Sequence, residues 1–142
     1  MKNKLFVVFS WTVIISMMLI ILLLGFWLLY PYKIAEYKNV PFPILNENKI
    51  VKRGDRVRYL IDACKYTTQI PELIKFFVDG VIFETPKTVG VVPFGCNQVT
   101  ADAYVPRAIP TGVYSLKMVV KYKVNPIRTI EYTNITEKFT VE

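Results

Sequence analysis

The hydrophobic pattern of this chain has two regimes. From Leu5 to Tyr32 there is no charged residue, and only Ser10, Thr12, Ser16 and Gly25 interrupt the apolar run. As a helix this segment is ~42 Å long, more than a hydrocarbon core of ~30 Å requires. Buried core helices are shorter and keep a polar face, so the pattern predicts a transmembrane helix. Its aromatic residues fit that reading. Trp11 and Trp27 stand ~24 Å apart along the axis, the spacing of two interfacial belts. Tyr30 and Tyr32 lie beyond the second belt, around Pro31, which stops the helix.

From about Lys49 onward the period changes to two. The clearest strand is Val113–Val124, where Tyr114, Leu116, Met118, Val120, Tyr122 and Val124 make one apolar face and lysines mark the other. A hairpin is predicted at Ile74–Thr85. Asp79-Gly80 serves as a two-residue type I′ turn, which pairs Val78 with Val81, Phe76 with Phe83 and Lys75 with Glu84. In that phase Phe76, Val78, Val81 and Phe83 face inward, while Phe77 and Ile82 form an exposed cross-strand pair. Further strands are expected at Lys49–Lys52, Arg56–Cys64, Asn97–Val105 and Thr129–Val141. The last changes parity near Asn134, which suggests a β-bulge. Pro41, Pro43 and Asn46-Glu47-Asn48 mark residues 33–48 as a juxtamembrane linker. The expected organisation is thus a helix over 1–32, a linker over 33–48 and one all-β domain of about seven strands over 49–142.

Charge sets the orientation. Lys2 and Lys4 precede the apolar run, and the run is far longer than the ~7–15-residue core of a cleaved signal peptide, with no A-x-A-like site after it. An uncleaved signal anchor with its amino terminus inside is therefore expected, and the β domain lies outside the cytoplasm. The chain carries a net charge of +7, or +5 once Lys2 and Lys4 are set aside. The lysines are dispersed and no nucleic-acid module is legible, so nucleic acid is not an expected partner. Anionic lipid headgroups are a candidate partner for the juxtamembrane Lys33 and Lys38.

Pro110-Thr111-Gly112-Val113-Tyr114, at the start of the best strand, resembles the tyrosine corner of immunoglobulin-like and fibronectin-III-like domains. The resemblance implies an antiparallel sandwich over residues of about 49–142, with the Tyr114 hydroxyl bonded to backbone a few residues upstream. The β domain lacks the Trp of antibody domains, and the strand of Tyr114 carries no Cys. In a sandwich of this type the second and fifth strands are neighbours. Cys64 ends one and Cys96 begins the other, both on the outward face. Their pairing implies Arg58 opposite Asp102, as an ion pair, and Arg56 opposite Tyr104, as a cation–π contact. Two free thiols in a reducing compartment are the alternative.

The chain has no histidine and two cysteines. That excludes Ser-His and Cys-His nucleophile pairs, and two cysteines alone cannot complete a tetrahedral metal site. No enzyme, cofactor or metal function is expected. Two function classes remain. In the first, the sandwich docks onto other protein subunits of a membrane assembly such as a cell envelope, secretion apparatus or membrane-containing virion, through Phe77, Ile82, Val91 and Phe94. In the second, it binds a glycan or other small ligand, with Tyr66 and Phe94 as contact aromatics.

Overall fold

A computed structural model describes the backbone of residues 2–79, 81–85, 88–90 and 92–142, and the side chains of all of these but 2–5, 79, 81–83 and 89. Helix α1 runs over Lys2–Leu29. It ends one residue before the Tyr30-Pro31 step, where proline removes the next backbone donor. The segment Phe6–Leu29 is long and apolar enough to cross a membrane, and none of it is buried.

Ten strands follow. They are β1 (Ala35–Tyr37), β2 (Ile50–Val51), β3 (Arg56–Lys65), β4 (Glu72–Asp79), β5 (Val81–Glu84), β6 (Thr88–Val89), β7 (Gly95–Tyr104), β8 (Gly112–Asn125), β9 (Arg128–Ile135) and β10 (Phe139–Val141). They form two sheets, one ordered β1-β3-β7 and the other β2-β10-β8-β4-β5, in which β6 also pairs with β4 and β9 with β8. Strands β2 and β10 are parallel, whereas β3–β7, β4–β8 and β8–β10 are antiparallel. The result is an all-β, sandwich-like pair of sheets. The strands outnumber the expected seven because β1 lies in the expected linker, β6 follows the hairpin, and the last expected strand divides into β9 and β10.

The chain divides into two compact units, Met1–Tyr32 with Val124–Arg128, and Lys33–Lys123 with Thr129–Glu142. Within the first, the Arg128 guanidinium donates to the carbonyls of Leu28 and Tyr30 at 2.7 Å each, and the Asn125 amide donates to Trp27 O at 2.8 Å. These donors occupy helix-end carbonyls that have no partner inside the helix.

In the second unit the alternating strands behave as their pattern predicts. Tyr114, Leu116, Met118, Val120 and Tyr122 of β8 are buried, as are Val57, Tyr59, Ile61 and Ala63 of β3. The Tyr114 hydroxyl donates to Pro110 O at 3.0 Å, the bond the corner motif implies.

Four expectations need correction. Residues 33–48 are not a linker. Ala35–Tyr37 pair with β3, and Phe42 and Ile44 are buried and bridge to Thr136 and Tyr59. Two isolated apolar anchors and a three-residue strand leave no period to read. The hairpin register also differs. Phe77 pairs with Phe83 and Val78 with Ile82, one step away from the predicted pairing; the Gly80 of the predicted turn lies outside the described residues. The inward face of β4 is Leu73, Lys75 and Phe77, and Phe77 is 0% exposed, its ring edge-on to Phe139 at 6.1 Å. A buried lysine at the centre of that face reverses the apparent phase. The parity change near Asn134 falls later, between β9 and β10: Asn134 and Thr136 are both buried, and the Leu116 N–H donates to Thr136 Oγ1 at 2.9 Å. Finally, Arg58 faces Asp102 and Arg56 faces Tyr104 in the ladder, but the ion pair forms diagonally, from Arg56 to Asp102 at 2.8 Å.

Candidate functional site: a cavity between the sheets

The second unit contains a cavity of about 460 Å³ lined by both sheets. Ile61 of β3 contributes apolar wall from one side, and Leu73, Met118 and Val120 of β4 and β8 contribute it from the other. Small residues leave the space open. Ala101 stands where β7 faces the second sheet, and Gly90 passes so close to Pro71 that a Cβ there would lie 2.5 Å from the proline ring. The volume falls within the range of small-molecule sites.

Lys75, Tyr59 and Asn134 bring buried polar groups to this space, beside lining polar residues that include Tyr37, Arg58, Asp102 and Tyr122. Lys75 projects from β4, is 8% exposed, and donates from Nζ to Asp102 O of β7 at 2.7 Å. Its ammonium has three donors, and this is the bond the structure gives it. Burial lowers the Lys75 pKa below its ordinary value; Asp102 opposes that shift and Arg56 adds to it. Tyr59 of β3 is 0% exposed and its hydroxyl has no hydrogen-bond partner among the described residues. Burial raises its pKa, so it stays a neutral donor. Asn134 of β9 is 6% exposed and its Nδ2 likewise has no partner among the described residues. Buried polar groups are paired in nearly all native structures, so two orphans lining one cavity require a physical reason.

The sheet register places these groups together. Lys75 is the direct partner of Met118. The Lys121–Glu131 ion pair and the bond from Thr136 N to Leu116 O put Asn134 across from Met118 on its other side. Lys75, Met118 and Asn134 thus form a row across three adjacent strands at ~4.8 Å spacing, facing Tyr59 of the opposite sheet. Beyond Tyr59 the wall is aromatic: Phe42 stacks on it at 6.3 Å, and Tyr37 packs against both Phe42 and Tyr132.

The residues singled out from sequence lie elsewhere. Cys64 and Cys96 face each other across β3 and β7 and are disulfide-bonded, with Cα atoms 3.9 Å apart. Phe77 is in the core and presents no surface. Ile82 pairs with Val78 through the backbone, but its side chain lies outside the described residues, as does Val91 altogether. Phe94 is 65% exposed. Because Lys65 pairs with Gly95, Phe94 and Tyr66 flank the same end of the β3–β7 ladder. Lys33 lies over the Tyr66 ring at 4.9 Å and pairs with Glu36 at 3.0 Å. Trp11 and Trp27 are on α1, with Tyr30 and Tyr32 just past its end. Among the described residues no group of three or more His, Cys, Asp or Glu could hold a metal ion.

Sequence reading missed the cavity. Lys75 shares parity with Leu73 and Phe77, and that placement of a lysine on an apolar face was the available signal. No protein-family model matches the chain, and no curated protein matches it in sequence.

Proposed function

We propose that this chain is a single-pass, membrane-anchored binding module, with its amino terminus inside and an immunoglobulin-like sandwich outside the cytoplasm that takes a small amphiphilic ligand between its sheets. The observation that carries this reading is the cavity walled by Tyr59 and Asn134, whose buried hydroxyl and Nδ2 have no partner among the described residues. A ligand that hydrogen-bonds them removes a desolvation cost that the empty site would otherwise bear. The Tyr114–Pro110 bond supports the immunoglobulin-like assignment. The Cys64–Cys96 bond supports an oxidising compartment, and the apolar helix supports the anchor. The role is one of binding, without catalysis. The test is organic extraction of small molecules from the full-length protein, isolated with its surrounding lipid and without detergent. A compound enriched over the cavity-filling variant Ala101→Phe supports the reading. Identical extracts from both proteins, each with its disulfide intact, contradict it.

A second reading, docking onto protein subunits of a membrane assembly, keeps one specific support. Strand β7 pairs only with β3 among the described residues, so its outer edge, apart from the Asp102 carbonyl that accepts from Lys75, is open to strand addition, and the exposed Phe94 stands just before it. Co-purification of partners that falls with Phe94→Ser favours this reading; co-purification that is unchanged removes that support.

A further inference from the structure

From the donors that meet in the cavity we infer the ligand's chemical class: a single carboxylate on an apolar body of about ten to fifteen non-hydrogen atoms, with Lys75 as its counter-ion. The inference rests on the binding-module reading and goes further, since that reading alone is indifferent to charge.

Three features carry it. The first is the sign of the hydrogen bonds. The Lys75 ammonium can only donate, and the Tyr59 hydroxyl and Asn134 Nδ2 both have a donor to give. A row of donors is complementary to an acceptor group, and a carboxylate offers about four acceptor sites. The second is charge. Asp102, the acidic residue of the wall, has its carboxylate bound to Arg56 at 2.8 Å and meets Lys75 through its backbone oxygen. With Asp102 paired to Arg56, Lys75 and the exposed Arg58 leave an excess of positive charge around the space, and Lys75 is the buried part of it. A buried ammonium without a counter-ion is costly, and an incoming anion relieves that cost. The third is size. A cavity of about 460 Å³ holds the volume of about fifteen waters at ~30 Å³ each, which limits the apolar body to a medium-length chain or an aromatic ring with a short linker.

The same chemistry can come from a membrane-derived acyl carboxylate or from a soluble aromatic one. The probes distinguish them. Full-length protein in nanodiscs is dialysed against labelled decanoate, decanol or 3-phenylpropionate, with empty nanodiscs subtracted. Lys75→Met, Lys75→Arg and Ala101→Phe are measured alongside, each checked for an intact disulfide and native circular dichroism. At least one carboxylate should bind about tenfold or more tightly than decanol, as a charge-assisted hydrogen bond implies. Lys75→Met should weaken the carboxylates about tenfold relative to decanol and so remove that preference, Lys75→Arg should retain the preference, and Ala101→Phe should reduce every probe. Preference for decanoate identifies the acyl source, and preference for phenylpropionate the soluble one. Equal binding of decanol and both carboxylates overturns the charge inference and leaves the binding module standing. So does an equal loss of all probes in Lys75→Met. No saturable binding of any probe to the unmodified protein overturns both.

Discussion

Replacing Phe77 by alanine tests the phase of β4, on which the cavity depends. If Leu73, Lys75 and Phe77 face inward, Phe77→Ala opens a hole in the core beside Phe139 and Leu116; both of these, like Phe77, are essentially unexposed. Buried Phe→Ala changes cost about 3–5 kcal/mol. Its neighbour Phe76 is half-buried on the opposite face, across from Lys117 and Glu84, where truncation should cost ~1 kcal/mol or less. At about 4 °C per kcal/mol for a unit of this size, Phe77→Ala lowers the melting temperature by roughly 12–20 °C and Phe76→Ala by at most ~4 °C. The assay is thermal unfolding of the full chain in one fixed detergent, followed by the β-sheet signal. A loss for Phe76→Ala equal to or larger than that for Phe77→Ala would reverse the phase, return Lys75 to solvent and remove the charged wall of the cavity.

Three further outcomes follow from single contacts. Cys64→Ala with Cys96→Ala opens a cross-link spanning 32 positions, and should destabilise the second unit by about 3–4 kcal/mol in urea titrations under oxidising conditions; a change under ~1 kcal/mol would show that the bond constrains little. Tyr114→Phe loses the bond to Pro110 O and should cost about 1 kcal/mol by the same measurement, whereas an unchanged midpoint would mean that the corner contributes nothing to stability. Lys75→Met should make the unliganded protein more stable at neutral pH, because it removes a buried ammonium. The Lys75 pKa is lowered by folding, so between that value and its ordinary 10.5 the unfolded chain binds the extra proton, and wild-type stability rises with pH across that window. The advantage of Lys75→Met should therefore shrink as pH approaches 10.5; an advantage independent of pH would place the ammonium in water.

The sequence was most readable where one face of a strand is wholly apolar. β8 and β3 have that pattern, and the β3–β7 register, with Cys64 opposite Cys96, followed from matching parity. It was unreadable where the inward face carries polar groups. Lys75 on β4 and Asn134 and Thr136 on β9 look like solvent-facing positions, so the phase of β4 was inverted and the parity change of the last segment was placed too early. Those same residues line or adjoin the cavity, so the places that broke the pattern are the places where a ligand site is proposed. The cavity had no linear signature, since it depends on Ala101 and Gly90 lying across from residues more than ten positions away. The segment 33–48 was lost for another reason: its burial depends on single side chains, Phe42 and Ile44, reaching the core from irregular backbone.

The central claim is that a ligand occupies the space between the sheets, and one methyl group reports on it. Of the chain's four methionines, Met1, Met17 and Met18 lie at the amino terminus or on α1, and Met118 is in the cavity wall between Lys75 and Asn134. Full-length protein labelled with ¹³C at the methionine methyls is titrated in nanodiscs with decanoate and with 3-phenylpropionate. The Met118 signal should shift saturably with a carboxylate and stay fixed in Ala101→Phe. A Met118 signal that does not move with either probe, while Met17 and Met18 respond to amphiphile entering the bilayer, would contradict it.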